Sequence, residues 1–332
     1  NNMIKKYIVV FILLNFVFTE TVTQEGTDAG NFLKLETGIS GIGMGGARVA
    51  SANNISGVGY NPAAISFTKG SDLYFSYRNY LVDISIGSLG YATQLSPTNF
   101  LGLYLFYLDS GEMVRTTIDN PDGGIGSFKV QDIVLSGVYS RIVTDRLRLG
   151  VTFKYIREDL WQTGFSTVAL DVGSIFDTGI YGLVLGMSVS NFGPEIQYSG
   201  EGLENENLDE LDPQMWSTEK WNLPLVFRLG VSNEIIGKNS IYIKDNSQRL
   251  IVEADAVSPS DSRLYGSLGI EYSWNDMLFV RTGSYLNHHT AGFSFGAGLN
   301  YNLGLLRFGA NYAYSDFGIL DGTSQFSINL GF

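Results

Sequence analysis

Most of this chain alternates between apolar and polar residues, and this alternation constrains the fold more than any other feature. From Ser71 onward we count fourteen alternating segments, most of about ten residues. Because successive side chains of a strand point to opposite faces, each segment predicts a strand with one apolar face and one polar face. The segments cover residues 71–79, 83–93, 99–108, 129–141, 145–157, 165–176, 180–192, 223–234, 248–257, 263–274, 277–286, 291–302, 305–315 and 323–332.

The fifth segment shows the pattern most clearly, with Leu147, Leu149, Val151, Phe153 and Tyr155 on one face. A soluble sandwich also has one apolar face per sheet, but it would turn the charged face to bulk water and leave sheet edges to protect. A membrane barrel instead encloses the polar face, where opposite charges can pair. We therefore predict that the charged residues of these faces line a lumen. They are Arg146, Arg148, Lys154, Asp171, Arg228, Glu253, Asp255, Glu271, Arg281 and Arg307.

The last ten residues strengthen the prediction of a closed barrel. Phe326, Ile328, Leu330 and Phe332 point to one side of the final segment. A bare apolar strand at a sheet edge promotes aggregation, whereas in a closed barrel the last strand pairs with the first. A terminal strand that ends in Phe is typical of bacterial outer-membrane barrels, so we expect an outer-membrane location with membrane lipid as a partner.

Composition and connection lengths agree with this class. The chain has 332 residues, 40 Gly, 19 Tyr, 21 Phe and no Cys. Its formal net charge of −12 disfavours a nucleic-acid partner. Connections alternate between short and long, with the two longest at 109–128 and 193–222. Short periplasmic turns and long outer loops are characteristic of transmembrane barrels.

The amino terminus predicts a signal peptide over residues 1–23. Lys5 and Lys6 precede an apolar stretch of 12 residues at 7–18, which small residues follow. This stretch is too short for a transmembrane helix and fits a secretory signal. The alternative is a buried amino-terminal strand or helix.

In residues 24–70 apolar and polar residues alternate poorly, and Gly and Ala are frequent. This composition favours a compact irregular plug or hatch inside the barrel that residues 71–332 form. Pro62 predicts a short helix over 62–67, because Pro suits the first helical turn. The candidate plug residues are Gly43, Met44, Gly45, Gly46, Asn61, Pro62 and Ala63.

Several motifs resemble known binding or catalytic sites in residue type but lack the context that such sites need. Residues 41–46 match the dinucleotide-binding spacing, but that motif needs a preceding strand and a following helix in a parallel unit. His288 and His289 are adjacent, so they are poor joint ligands for a metal and favour an exposed turn. With no Cys nucleophile, and with both His residues side by side rather than near a plausible Ser and Asp, we predict neither an enzyme nor a cofactor.

The loop from Glu201 to Glu219 is acidic, and a solvated loop is a simpler interpretation than a cation site. Trp216 and Trp221 in the same loop are candidates for partner binding, because exposed Trp is enriched at interaction hot spots. They are equally suited to anchor the loop at the lipid interface.

Several stretches together resemble the PorV/PorQ family, which belongs to the wider FadL-like group of outer-membrane barrels. The amino-terminal stretches are Asn31-Phe-Leu-Lys-Leu, Gly43-Met-Gly-Gly-Ala-Arg-Val-Ala and Tyr60-Asn-Pro-Ala-Ala. The later stretches lie at 227–231, 280–285, 292–299 and 311–314. The resemblance implies a fourteen-stranded barrel with its amino-terminal segment in the lumen.

The resemblance also implies a role in type IX secretion. Family members of the PorV kind bind the translocon, receive exported proteins through their carboxyl-terminal domains and carry them to a surface attachment complex. FadL-like relatives instead move hydrophobic small molecules, such as long-chain fatty acids, through a hatch and a side opening. The residues themselves do not separate these two functions, so the secretion role is our first expectation and the channel is the alternative.

Overall fold

The computed structural model describes residues 26–203, 218–288 and 290–332. The predicted signal peptide, the central part of the acidic loop with Trp216, and His289 lie outside the described residues.

Fourteen antiparallel strands form a closed barrel, which confirms the predicted fold class. Each strand pairs with its neighbours in sequence, and the first strand also pairs with the last, from Asp72↔Gly331 to Arg78↔Gln325. The strands are β1 (Ser71–Asn79), β2 (Ser85–Gln94), β3 (Asn99–Asp109), β4 (Val130–Thr144), β5 (Leu147–Leu160), β6 (Thr163–Asp177), β7 (Leu183–Phe192), β8 (Val226–Gly237), β9 (Gln248–Pro259), β10 (Tyr265–Trp274), β11 (Leu278–Leu286), β12 (Phe293–Leu303), β13 (Leu306–Asp316) and β14 (Gly322–Gly331).

Apolar side chains cover the outside of the barrel, because one residue in two along each strand points outward. Every strand contributes at least one exposed large apolar residue. One from each strand, in order, gives Phe75, Leu89, Leu103, Leu135, Phe153, Val172, Met187, Phe227, Val252, Leu268, Val280, Phe295, Phe308 and Ile328. The alternate positions are buried and frequently polar, as Gln325 and Ser327 show beside the exposed Phe326.

The two ends of the barrel differ. We call the end that carries connections 80–84, 110–129, 193–225 and 260–264 the loop end, and the opposite end the turn end. Two-residue strands Met113–Val114 and Ser127–Phe128 pair within one loop-end connection. Short 3-10 helices cover Glu201–Leu203 and Gly318–Leu320 at the same end, and Ile243–Lys244 pairs in parallel with β8 at the turn end. Within the described ranges, no helix has the length and apolar character to cross a membrane.

Residues 26–70, which we call the amino-terminal segment, lie within the barrel. The segment contains 3-10 helices at Asn31–Lys34, Ile55–Gly57 and Pro62–Phe67, and one α-helical turn at Ile39–Ile42. The helix predicted over 62–67 is confirmed, with Pro62 in its first turn and the Asn61 Oδ1 atom accepting from the Ala63 N–H at 3.0 Å.

The main hydrophobic core lies between this segment and the wall formed by β1–β6, not within a sheet sandwich. The segment contributes Phe32, Ile55 and Ile65. The wall contributes inward-facing apolar residues that interrupt the polar pattern, among them Tyr74, Phe100, Tyr104, Phe106, Val138 and Ile156. Burial of these side chains, each worth roughly 1.5–3 kcal/mol, attaches the segment to this half of the wall.

Candidate functional site

Two carboxylates of β9 hold four consecutive backbone N–H groups of the amino-terminal segment. The Oδ2 atom of Asp255 accepts from the N–H groups of Arg48 and Val49, at 2.8 and 3.0 Å. The Oε1 atom of Glu253 accepts from Ala50 and Ser51, at 2.7 and 3.2 Å. Both carboxylates are buried. Because four consecutive backbone N–H groups donate to these two side chains, this contact is a principal attachment of the segment to the wall.

A second buried attachment centres on Glu271 of β10. Three guanidinium groups surround its carboxylate: Arg48 at 3.1 Å, Arg249 at 3.1 Å and Arg281 at 2.7 Å. Arg48 comes from the segment, whereas the other two come from the wall. Three cations around one anion leave the cluster with a positive charge.

Glycine residues of the wall allow the segment to approach the strands closely. A Cβ atom at Gly283 would overlap the backbone of Met44, and one at Gly150 would overlap that of Pro62. The Nδ2 atom of Asn61 also reaches the wall, donating to the Ser174 carbonyl at 2.9 Å. The alternating Gly and Ser residues of the polar faces thus give the segment room inside the lumen.

The candidate plug residues fall into two buried groups. Gly43, Met44, Gly45 and Gly46 lie against β10–β12, with Gly43 close to the Gly296 backbone. Gly45 and Gly46 have positive φ angles of 63° and 79° and form a turn after the Ile39–Ile42 helix. No helix begins at this turn, so it lacks the context of a dinucleotide site. Asn61, Pro62 and Ala63 lie on the opposite side of the lumen, against β4–β6.

The remaining predicted lumen charges occupy different depths of the barrel. The Lys154 Nζ atom lies 2.6 Å from Asp171, and Arg307 lies 3.2 Å from Asp72. Two more make hydrogen bonds: Arg228 donates to Ser190 Oγ at 3.2 Å, and Arg148 donates to the Ser66 carbonyl at 2.8 Å. Arg146 differs from expectation, because β5 begins at Leu147 and Arg146 is exposed in the preceding turn.

Cavities lie on both sides of the amino-terminal segment. The loop-end cavity has a volume of about 380 Å³, and Leu35, Glu36 and Ile42 of the segment line one side of it. Two turn-end cavities of about 460 and 440 Å³ are lined by Asn53 and other segment residues. The segment therefore separates the space near the loops from the space near the turns.

The loop-end cavity combines aromatic walls with charged groups. Aromatic side chains on its surface are those of Tyr80, Tyr265, Tyr285, His288 and Phe317. Its cations are Lys34, Arg78 and Arg228, and its carboxylates are Glu36 and Asp261. The combination suits a small molecule with an apolar body and a polar group.

Glu36 lines this cavity, and its Oε2 atom accepts hydrogen bonds from the hydroxyls of Tyr60 at 3.0 Å and Tyr285 at 2.8 Å. Burial raises the pKa of the Glu36 carboxyl, and these hydrogen bonds and the nearby Arg228 and Arg78 offset part of the rise. Sequence reasoning missed Glu36 because it belongs to a segment with no periodicity.

Arg78 and Gln325 were also missed, although both belong to polar faces of predicted strands. They become neighbours only through the β1–β14 pairing, which brings together residues from opposite ends of the barrel domain. An inward Arg on the first strand opposite an inward Gln on the last is the signal that could have identified them.

The loop residues take other positions. Trp221 is partly exposed; its backbone pairs with Ile196 and its ring lies 5.9 Å from that of Tyr198. His288 is only partly exposed: its ring contacts Tyr265 at 4.9 Å and Tyr285 at 5.5 Å. The prediction of an exposed turn is therefore wrong for the side chain of His288, which packs over the cavity.

A closed antiparallel barrel with an apolar exterior and an occupied polar lumen defines the class of outer-membrane β-barrels, because only closure satisfies all strand hydrogen bonds in lipid. The chain is a barrel of this class and lies in the bacterial outer membrane. No protein-family model matches the chain, and no curated protein matches it.

Solved structures share the fold at low sequence identity. A Pseudomonas aeruginosa FadL homologue is 14% identical, with a TM-score of 0.53 over 89% of this chain and 97% of that one. The Ralstonia pickettii toluene transporter TbuX is 11% identical, with a TM-score of 0.57 over 90% and 98%. The Pseudomonas putida toluene transporter TodX is 13% identical, with a TM-score of 0.54 over 89% and 97%. The fold is thus FadL-like, and these comparisons do not single out the PorV/PorQ family.

Proposed function

We propose that the protein is a passive outer-membrane channel for hydrophobic small molecules. The observation that carries this proposal is the loop-end cavity of about 380 Å³, which has aromatic and aliphatic walls and is lined on one side by the amino-terminal segment. Ligand sites are commonly concave, largely apolar and of roughly 300–1,000 Å³. Structures that share the fold include two described as toluene transporters, which supports the same class of substrate.

In this proposal residues 24–70 act as the plug or hatch of a barrel formed by residues 71–332. A molecule enters the loop-end cavity and meets Leu35, Glu36 and Ile42 of the segment. Passage toward the turn end then requires the segment to move, because it lies between the cavities. The attachments through Asp255, Glu253 and Glu271 set the resistance to that movement.

Uptake into proteoliposomes tests this function. We expect the purified barrel to accelerate entry of toluene and of a long-chain fatty acid relative to protein-free liposomes. Deletion of residues 26–60 should change the rate, since it removes most of the segment from the lumen. Absence of uptake by the full chain, together with no change on deletion, would contradict the proposal.

A secretion role remains the second candidate, because aromatic side chains are exposed on the loops. Trp161 is 48% exposed and Trp221 is 38% exposed, both at the loop end. In this alternative the loops receive carboxyl-terminal domains of exported proteins and the barrel contacts a secretion translocon. A pull-down with such domains, with and without residues 193–222, tests it. Capture that depends on the loop would support secretion, and no capture in either case would count against it.

A further inference from the structure

Three buried hydrogen-bond donors at the loop-end cavity have no partner among the described residues. Arg78 of β1 and Gln325 of β14 face each other across the barrel closure and are 6% and 0% exposed. The Nη1 atom of Arg78 donates to the Oε1 atom of Gln325 at 3.2 Å. The Nε and Nη2 atoms of Arg78 and the Nε2 atom of Gln325 remain unpaired, and both side chains line the cavity.

Unpaired donors of this kind are costly, above all on a charged side chain, because burial removes their hydration. They are therefore expected to meet an acceptor when the site is occupied. The Nε and Nη2 atoms belong to one planar guanidinium, whose geometry matches the two oxygens of a carboxylate. The third donor belongs to Gln325, whose Oε1 atom contacts the Nη1 atom of the same guanidinium.

The charges of the cavity also favour an anion. The Lys34 Nζ atom is paired with Asp261 at 2.6 Å, so these two groups compensate each other. Glu36 then faces two guanidinium groups, those of Arg78 and Arg228, and no ion pair within 4.0 Å joins it to either one in the described structure. The cavity is therefore net positive even when Glu36 is ionised.

The walls beside the guanidinium select an aromatic body. The Arg78 guanidinium lies 4.8 Å from the Tyr80 ring centre. The Phe317 ring packs edge-on against Tyr80 with centres 5.7 Å apart. Tyr265 of β10 and Tyr285 of β11 form another part of the wall, with ring centres 6.5 Å apart. Aromatic pairs prefer such edge-to-face and offset geometries, so a ring between these walls gains more than its buried area alone.

We propose that the loop-end cavity binds an aromatic carboxylate. Its two oxygens accept from Arg78 Nε and Nη2, one of them also accepts from Gln325 Nε2, and its ring lies among Tyr80, Phe317, Tyr265 and Tyr285. This inference deepens the proposed function and rests on it for its role in uptake. It distinguishes this cavity from one built for an uncharged hydrocarbon.

Calorimetric titration of the detergent-solubilised full chain with benzoate and benzamide tests the charge requirement, because these two probes match in shape and differ in charge. We expect benzoate to bind at least about tenfold more tightly. The Arg78→Met variant should lose this preference. Arg157→Met is the matched control, since Arg157 is exposed on the outer part of β5 and pairs with Asp159. Equal binding of both probes, or unchanged benzoate binding by Arg78→Met, would overturn the proposal.

A second variant and a third probe complete the test. Gln325→Leu removes only the Nε2 and Oε1 groups and should weaken benzoate severalfold, which gives a second readout if Arg78→Met fails to fold. Octanoate should bind more weakly than benzoate, and equal or tighter octanoate binding would overturn the aromatic selection. Toluene uptake without benzoate binding would support the channel function and reject the aromatic carboxylate site. Benzoate binding without any uptake would support the site and reject the channel function.

Discussion

Asp255 of the barrel wall binds Arg48 of the amino-terminal segment through its backbone, not through its guanidinium group. The Arg48 N–H donates to Asp255 Oδ2 at 2.8 Å, while the Arg48 guanidinium donates to Glu271 on the neighbouring strand at 3.1 Å. One residue of the segment is thus attached to two wall strands by two independent contacts. Each contact can be removed separately.

Removal of the Asp255 carboxylate should loosen residues 48 and 49. Asp255→Ala removes two hydrogen bonds, a loss of about 1–3 kcal/mol of local stability. We expect faster amide hydrogen exchange at Arg48 and Val49 and a higher single-channel conductance. The Ala63 amide, which donates to Asn61 Oδ1, is the internal control and should exchange at the wild-type rate. Unchanged exchange at both segment amides would show that the contact does not hold the segment.

A methyl group at Gly283 should displace the segment from the wall. A Cβ atom there would overlap the Met44 backbone, so Gly283→Ala should lower the melting temperature through an overpacking cost of about 1–3 kcal/mol and raise conductance. Gly137→Ala is the matched control, because a Cβ atom at that strand glycine has no neighbour within 4 Å. Similar melting temperatures for the two variants would contradict the close approach.

Neutralisation of Glu271 should be strongly destabilising. Glu271→Gln preserves shape but leaves Arg48, Arg249 and Arg281 without their shared anion, and breaking a buried charge cluster costs about 3–5 kcal/mol. Urea unfolding in lipid vesicles measures this loss. Asp159→Asn breaks an exposed ion pair with Arg157 and should leave the unfolding free energy unchanged. Equal effects of the two substitutions would argue against a buried cluster.

Benzoate binding should weaken as pH rises. Burial raises the pKa of Glu36, against the smaller opposing effects of its Tyr285 and Tyr60 hydrogen bonds and of Arg228 and Arg78. Below this raised pKa Glu36 is neutral, and the guanidinium groups attract the ligand without competition. Ionisation above the pKa adds a negative charge and lowers the affinity. The protonated form is also the one that folding favours, so Glu36 contributes stability at low pH that is lost as pH rises through its folded pKa.

Titrations across this range, kept above the pKa of benzoate itself, check the prediction. Glu36→Gln should give a pH-independent affinity close to the low-pH value of the wild type. An affinity that increases with pH in the wild type would contradict the assignment.

The barrel could be predicted from the sequence because side-chain alternation is a local property. The segment predicted at 323–332 corresponds to β14 at Gly322–Gly331, and that at 71–79 to β1. Their closure also followed from the apolar face of the last strand. Alternation does not define the turns, so it predicts Arg146 in a strand, because the pattern continues through the tight turn at 145–146.

The site could be predicted only in part, because it depends on contacts distant in sequence. Glu253, Asp255 and Glu271 were recognised as lumen charges, but their partners in the segment were not, since residues 48–51 present backbone N–H groups that no residue type reveals. Arg78 and Gln325 meet only across the closure.

The pairing of β1 with β14 imposes an order of events on assembly. The ladder from Asp72↔Gly331 to Arg78↔Gln325 joins parts of the chain that are synthesised at very different times. Contacts of such high sequence separation form slowly, so the newly made polypeptide passes through a long-lived state with unsealed edges. Residues 26–70 directly precede β1, so the segment is attached to one of the two strands that form the seam. Biogenesis therefore has to bring the amino-terminal segment and the closing hairpin to the same edge of the barrel.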